Sequence, residues 1–325
     1  MTNRFARLGV IFLGFAFLTC QSQATVRDDL NHAIALRNQG AFKEAVTVLK
    51  RIVNTPSASM SPAETEEALS ALGSAYLGAG NYSEARKCSE KALRLVKATN
   101  PENLKEEAAV LDQLGLVYMK LDDSSRESKA RDQALNLYEQ LGDHEGIFEE
   151  RNSQANLAIK TMKLRQAHEL MDKAFEQMPF ASKFATGDMA TFYSNVGWLA
   201  YTESKSDAAF EAYKKALQSW TSAYGPHDYK VGETYIQIGK VYLQRNDVVD
   251  ADSNIRRGMG ILKQALGDND PITLSALVPY SRLLDMEGQH DQAAQMQATV
   301  EQSLHGKFGI GSCTRCGSYE PYPRL

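Results

Sequence analysis

The chain has 325 residues, 36 Lys and Arg against 40 Asp and Glu, and a formal charge of −4. Its 43% hydrophobic and 23% charged residues are those of a folded chain and exclude wholesale disorder. An acid excess offers no basic face for phosphate, which argues against nucleic acid as a partner.

At the N-terminus, Arg4 and Arg7 give a basic start and Leu8 to Thr19 is a run of 12 residues without charge. Ser22-Gln23-Ala24 then places small residues where a signal peptidase cuts. A bilayer-crossing helix needs about 20 apolar residues, so the run is too short for an integral membrane span. Residues 1–24 are therefore expected to be a signal peptide and the protein to be exported, periplasmic or secreted. Cys20 ends the apolar run, but Thr19 and Phe17 stand where a lipidation signal carries a small and an aliphatic residue, which makes lipoprotein anchoring the weaker reading. Cleavage after Ala24 removes two arginines and no acid, taking the charge from −4 to −6.

From there to residue 305 one small residue recurs at intervals of 40 or 42: Ala45, Ala85, Ala167, Ala209, Ala251 and Ala293, with Glu127 completing the series. A fixed period of this length marks an array of helical hairpins that bury their apolar faces by stacking on neighbours. The clearest unit reads Leu69, Leu72, Gly73, Tyr76, a turn at Gly80-Asn81-Tyr82, then Ala85 and Ala92. Aligned on the glycine, the order returns at Leu111, Leu114, Gly115 and Tyr118; at Tyr193, Val196, Gly197 and Ala209; and at Tyr235, Ile238, Gly239, Tyr242 and Ala251. Residues spaced i, i+3, i+4 and i+7 share one helix face, and a glycine in that face admits a close partner helix. Degenerate units flank and interrupt these, at Ala33–Ile52, Ala155–Ala174 and Leu277–Val300. Glu127 places a charge where its counterparts are small, so its hairpin is expected to splay or shift register onto Ala130. Pro279 is expected to kink or break the first helix of the last unit. Between units, Gly142-Asp143, Gly225-Pro226-His227-Asp228 and Gly267 to Pro271 read as a glycine ending one helix and Asp or Pro starting the next.

These residues resemble the tetratricopeptide repeat, in its long 42-residue class of the kinesin-light-chain type. The resemblance implies an all-α, right-handed αα superhelix of about seven hairpins over residues 25–305. It also implies that the first helix of each hairpin lines a concave groove where peptides bind. Counting from the glycines, the groove-facing residues are Asn152, Asn156 and Lys160; Asn195, Trp198 and Tyr201; Gln237, Lys240 and Gln244; and Arg282. Amides can bond a peptide backbone through paired donor and acceptor, and Trp or Tyr offers a flat apolar surface. The same identities also fit an ordinary solvated helix face, and Trp198 can equally pack between hairpins. A carboxylate clamp of the chaperone-binding kind would use Asn156 and Asn195, but Asn152, Glu233 and Gln237 stand at its basic positions.

The six histidines, His32, His144, His168, His227, His290 and His305, form no i, i+4 ligand pair, and neither a phosphate-binding glycine loop nor a nucleophile elbow is present. No catalytic residue, metal site or cofactor is therefore expected. The tail, residues 306–325, holds Cys313 and Cys316, which in an oxidising compartment read as a local disulfide ahead of a metal half-site or a thiol-exchange pair. The expectation is an exported non-enzymatic scaffold that binds a peptide or protein segment. The alternative is a redox- or metal-handling protein that works through the Cys-x-x-Cys tail. The sequence does not fix the oligomeric state.

Overall fold

The computed structural model describes residues 26–54, 60–180 and 186–308. Among them the secondary structure is helical, arranged as seven antiparallel hairpins. The chain divides into two units, Met1–Gly142 and Asp143–Leu325. The first holds α1 (residues 26–38) with α2 (Phe42–Val53), α3 (Pro62–Gly78) with α4 (Tyr82–Thr99), and α5 (Leu104–Lys120) with α6 (Ser124–Leu141). The second holds α7 (His144–Lys160) with α8 (Leu164–Phe175), α9 (Thr186–Thr202) with α10 (Ser206–Tyr224), and α11 (Tyr229–Gln244) with α12 (Val248–Leu266). Its last hairpin is α13 (Pro271–Ser275) and α14 (Leu277–Met286) against α15 (His290–Phe308).

Short polar side chains start about half of these helices. Ser61 and Glu64 form a reciprocal capping box ahead of Pro62. Asp123, Asp143, Asp228, Asp247 and Asp270 each accept a backbone N–H of the first turn that follows. Gly142 closes α6 in the left-handed region, with φ at 64°, immediately before the Asp143 cap, as the Gly-Asp pair predicts. The break expected at Pro279 is also present. α13 stops at Ser275, the residue whose carbonyl the proline ring would meet four positions upstream, and α14 begins at Leu277 with Pro279 buried inside it.

Every hairpin turn is built alike. A residue in the left-handed region stands five positions before each member of the small-residue series: Gly40, Gly80, Asp122, Met162, Ser204, Asn246 and Gly288. The next residue's N–H then bonds a carbonyl five positions back, as in Asn81 to Tyr76 at 2.8 Å, Lys163 to Ala158 at 2.8 Å and Gln289 to Leu284 at 2.8 Å. This is the αL closure that satisfies the orphan carbonyls of a helix end. It sets the second helix so that the small residue points into the hairpin, where Ala45, Ala85, Ala167, Ala209 and Ala251 are fully buried.

The mid-helix glycines face those second helices. A Cβ on Gly197 would lie 2.7 Å from the Tyr213 ring, and one on Gly239 would lie 2.6 Å from Ile255. Close approach is thus what the roughly 1 kcal/mol loss of helix propensity at glycine accompanies.

The hairpin of Glu127 does not splay. Glu127 and Ala130 are both buried, and α6 packs along α5. The charge is accommodated by Arg131, one turn on and 1% exposed, whose Nε donates to Glu127 Oε1 at 3.2 Å. Arg131 also lies 3.6 Å from Asp112 of α5, so the pair ties the two helices of the hairpin together.

Candidate functional site

The groove-facing positions that the repeat pattern singles out all belong to the second unit, on α7, α9, α11 and α14. Each of these helices is held by its second-helix partner through the apolar face described above, which fixes the opposite face at regular spacing. On α7, Asn152 is buried, Asn156 half-buried and Lys160 exposed. On α9, Asn195 and Tyr201 are buried and Trp198 is half-buried against the core around Phe148, Ile159 and Phe192. Gln237, Lys240 and Gln244 are half-buried on α11, and Arg282 is exposed on α14.

The asparagines form a chain across two hairpins. Asn156 Nδ2 donates to Asn195 Oδ1 at 2.8 Å, and Asn195 Nδ2 donates to Asn152 Oδ1 at 2.8 Å and to the Asn152 carbonyl at 3.3 Å. Asn195 thereby braces α9 to α7. One step further, Gln244 Nε2 donates to the Tyr201 carbonyl at 3.3 Å while Ser206 Oγ donates to Gln244 Oε1 at 2.8 Å, bracing α11 to α9. The Lys240 ammonium sits 4.9 Å from the centre of the Tyr201 ring, a cation–π contact across the same pair of helices. Amides, an aromatic face and a cation thus line one run of first helices, an arrangement suited to hydrogen-bonding and covering an extended chain.

Of the two residues at the basic clamp positions on α11, Glu233 is engaged by Lys230 Nζ at 3.0 Å. Two histidines serve local packing: His144 Nδ1 donates to Gln177 Oε1 at 2.9 Å and its ring stacks on Phe180, with ring centroids 5.0 Å apart. His168 meets Glu203 at 2.9 Å, and this contact leads the effects that hold the Glu203 carboxyl below its ordinary range. Among the described residues no group of three or more His, Cys, Asp or Glu side chains could hold a metal ion, and no helix is long and apolar enough to cross a membrane. Residues 1–24, Cys20, Cys313 and Cys316 lie outside the described residues, and His305 lies on α15.

A tetratricopeptide-repeat family model matches residues 65–103, which span α3 and α4. Among solved structures, the quorum sensor NprR from B. thuringiensis in its apo form covers 92% of each chain at 15% identity, with a TM-score of 0.61. The fold is that of the tetratricopeptide repeat. NprR in complex with its cognate peptide NprX matches over 96% of this chain and 91% of its own, at 14% identity and a TM-score of 0.63. BtubC (BKLC) from P. vanneervenii covers 72% of this chain and 91% of its own at 19% identity, with a TM-score of 0.52. No curated protein sequence matches the chain.

Within the tetratricopeptide frame, one group of residues escaped the sequence reading. Gln113 of α5 donates to the Ser70 carbonyl at 3.1 Å and to Ser89 Oγ at 2.8 Å, and accepts from Ser70 Oγ at 3.2 Å. It bonds a carbonyl 43 residues upstream, as Asn195 and Gln244 do. The signal was available: an amide stands two residues before the packing glycine at Gln113, Asn195 and Gln237.

Proposed function

We propose that the protein is an exported, non-enzymatic tetratricopeptide scaffold that holds an extended peptide or protein segment against the first helices of its second unit. The observation that carries this reading is the amide chain across α7 and α9. Its inner members, Asn152 and Asn195, are committed to each other, and Asn195 Oδ1 in turn holds the half-buried Asn156 at the end of the chain of amides. Fixed donors and acceptors bind an extended backbone at a smaller entropic cost than mobile ones. Lys160, Lys240 and Arg282 add positive charge along a face of an otherwise acidic chain. The likeness to NprR, whose structure holds its cognate peptide NprX, supports the reading. The signal-peptide-like pattern of residues 1–24, a basic start, a short apolar run and small residues at Ser22 and Ala24, supports export.

Selection of displayed random peptides on the full chain, followed by titration of enriched peptides, tests the proposal. Enriched peptides should lose about tenfold or more in affinity to Trp198→Ala and to Lys240→Ala, the scale of a central interface contact. Peptides that bind both variants as they bind the wild type would place the site elsewhere.

A further inference from the structure

The first unit contains a carboxyl group that the fold buries without a counter-charge. Glu66, on α3, is 6% exposed, and its Oε1 has no hydrogen-bond partner. The charges that act on it are Glu106 at the start of α5 and Glu67 beside it on α3. Three cations of the flanking helices are engaged by other acids. Arg27 of α1 bonds Glu67 at 2.5 Å and lies 3.5 Å from Glu64, Arg51 of α2 bonds Asp29 at 2.8 Å, and Lys97 of α4 lies 3.0 Å from Glu107. Four residues along α3 from Glu66, Ser70 is clasped by Gln113 of α5. One seam between two first helices therefore carries an uncompensated carboxyl at one end and a hydrogen-bonded clasp at the other.

We propose that Glu66 is a proton-binding site that sets the tightness of the α3–α5 seam. Neutral, the carboxyl group packs in the seam and can donate its own hydrogen; ionised, it must face Glu106 and Glu67 with little access to water, which favours opening. Burial first, and then the Glu106 and Glu67 carboxylates, push the group up from 4.5 to about 7. Because the folded value is raised, the stabilisation is complete below the unfolded value near 4.5 and is lost as pH rises through about 7. The seam is thus tight in mildly acidic surroundings and looser above neutrality.

Hydrogen exchange of the full chain, corrected for intrinsic rates, reads this directly. The opening equilibrium of α3 and α5 amides should rise about tenfold or more between pH 5 and pH 8 in the wild type, and by less than about twofold in E66Q, since one pKa unit is a tenfold change. Equal pH dependence in the two proteins would overturn the assignment. The Glu66 carboxyl carbon, followed by NMR in the wild-type chain, decides even where E66Q fails to fold: titration near 7 supports the proposal, and titration near the ordinary glutamate value contradicts it.

Discussion

Met162 shows how far the repeat geometry overrides local preference. It holds φ at 57° in the α7–α8 turn, a region that costs an L side chain about 1–2 kcal/mol, and its side chain is 66% exposed and repays little by packing. Glycine stands at the equivalent turn position in three hairpins, at Gly40, Gly80 and Gly288, and Asp122 and Asn246 are residue types that tolerate the region. Met162→Gly should raise stability by about 0.5 kcal/mol, the strain relieved less the added freedom of the unfolded chain. Met162→Val should lower it by about 1 kcal/mol, because a β-branched side chain suits this region least. Urea unfolding of the three proteins checks the order, and a valine variant as stable as the glycine one would contradict the turn. The sequence reveals this position only where it is glycine. Asp122 and Asn246 carry only a weak preference for it, and at Met162 and Ser204 the turn is imposed by the helices on either side, so residue preference carries no signal.

At the scale of the helix, the α5–α6 hairpin separates what pattern can say from what it cannot. Glu127 was legible as an exception, but the consequence was not, because an i, i+4 Glu–Arg pair reads first as a solvated helix face. Here the fold buries it, and Arg131 takes the volume beside Gly115, where a Cβ would lie 3.1 Å from its Cγ. Arg131→Met should cost about 3–5 kcal/mol by removing the buried cation that Glu127 Oε1 and Asp112 face in the hairpin. Adding Glu127→Ala should recover most of that loss, since removing both charges removes the desolvation penalty. Thermal unfolding of the two single variants and the double variant measures the coupling, and strictly additive losses would show that the pair is not the unit described. By contrast, the break before Pro279 and the Gly142-Asp143 junction were legible because each follows from the covalent chemistry of one residue. Of the amide braces, Gln113 and Asn195 share a recurring place two residues before the packing glycine, but Gln244 does not, and Asn or Gln on a helix reads as surface until a neighbouring hairpin covers it.

For the whole molecule, the period of the small residues was enough to give the hairpin number and the face each hairpin buries, since stacking requires the same residue types at every step. The ligand face is less constrained, because any polar residue that leaves the packing intact satisfies the fold. The groove positions accordingly divided once the structure was known: Asn152, Asn195 and Tyr201 are buried and, with half-buried Gln244, hold the hairpins together, while Asn156, Lys160, Trp198, Gln237, Lys240 and Arg282 remain accessible in some degree. The proposed function requires that this accessible subset meet a peptide or protein partner. Photo-crosslinking in the native host tests it most directly, with a photoreactive residue placed at Lys160 or Lys240 on the first helices and, as a control, at exposed Lys214 on α10. The account predicts a discrete partner adduct from the first-helix positions and none from Lys214. Adducts from Lys214 alone, or the same adducts from all three positions, would contradict it.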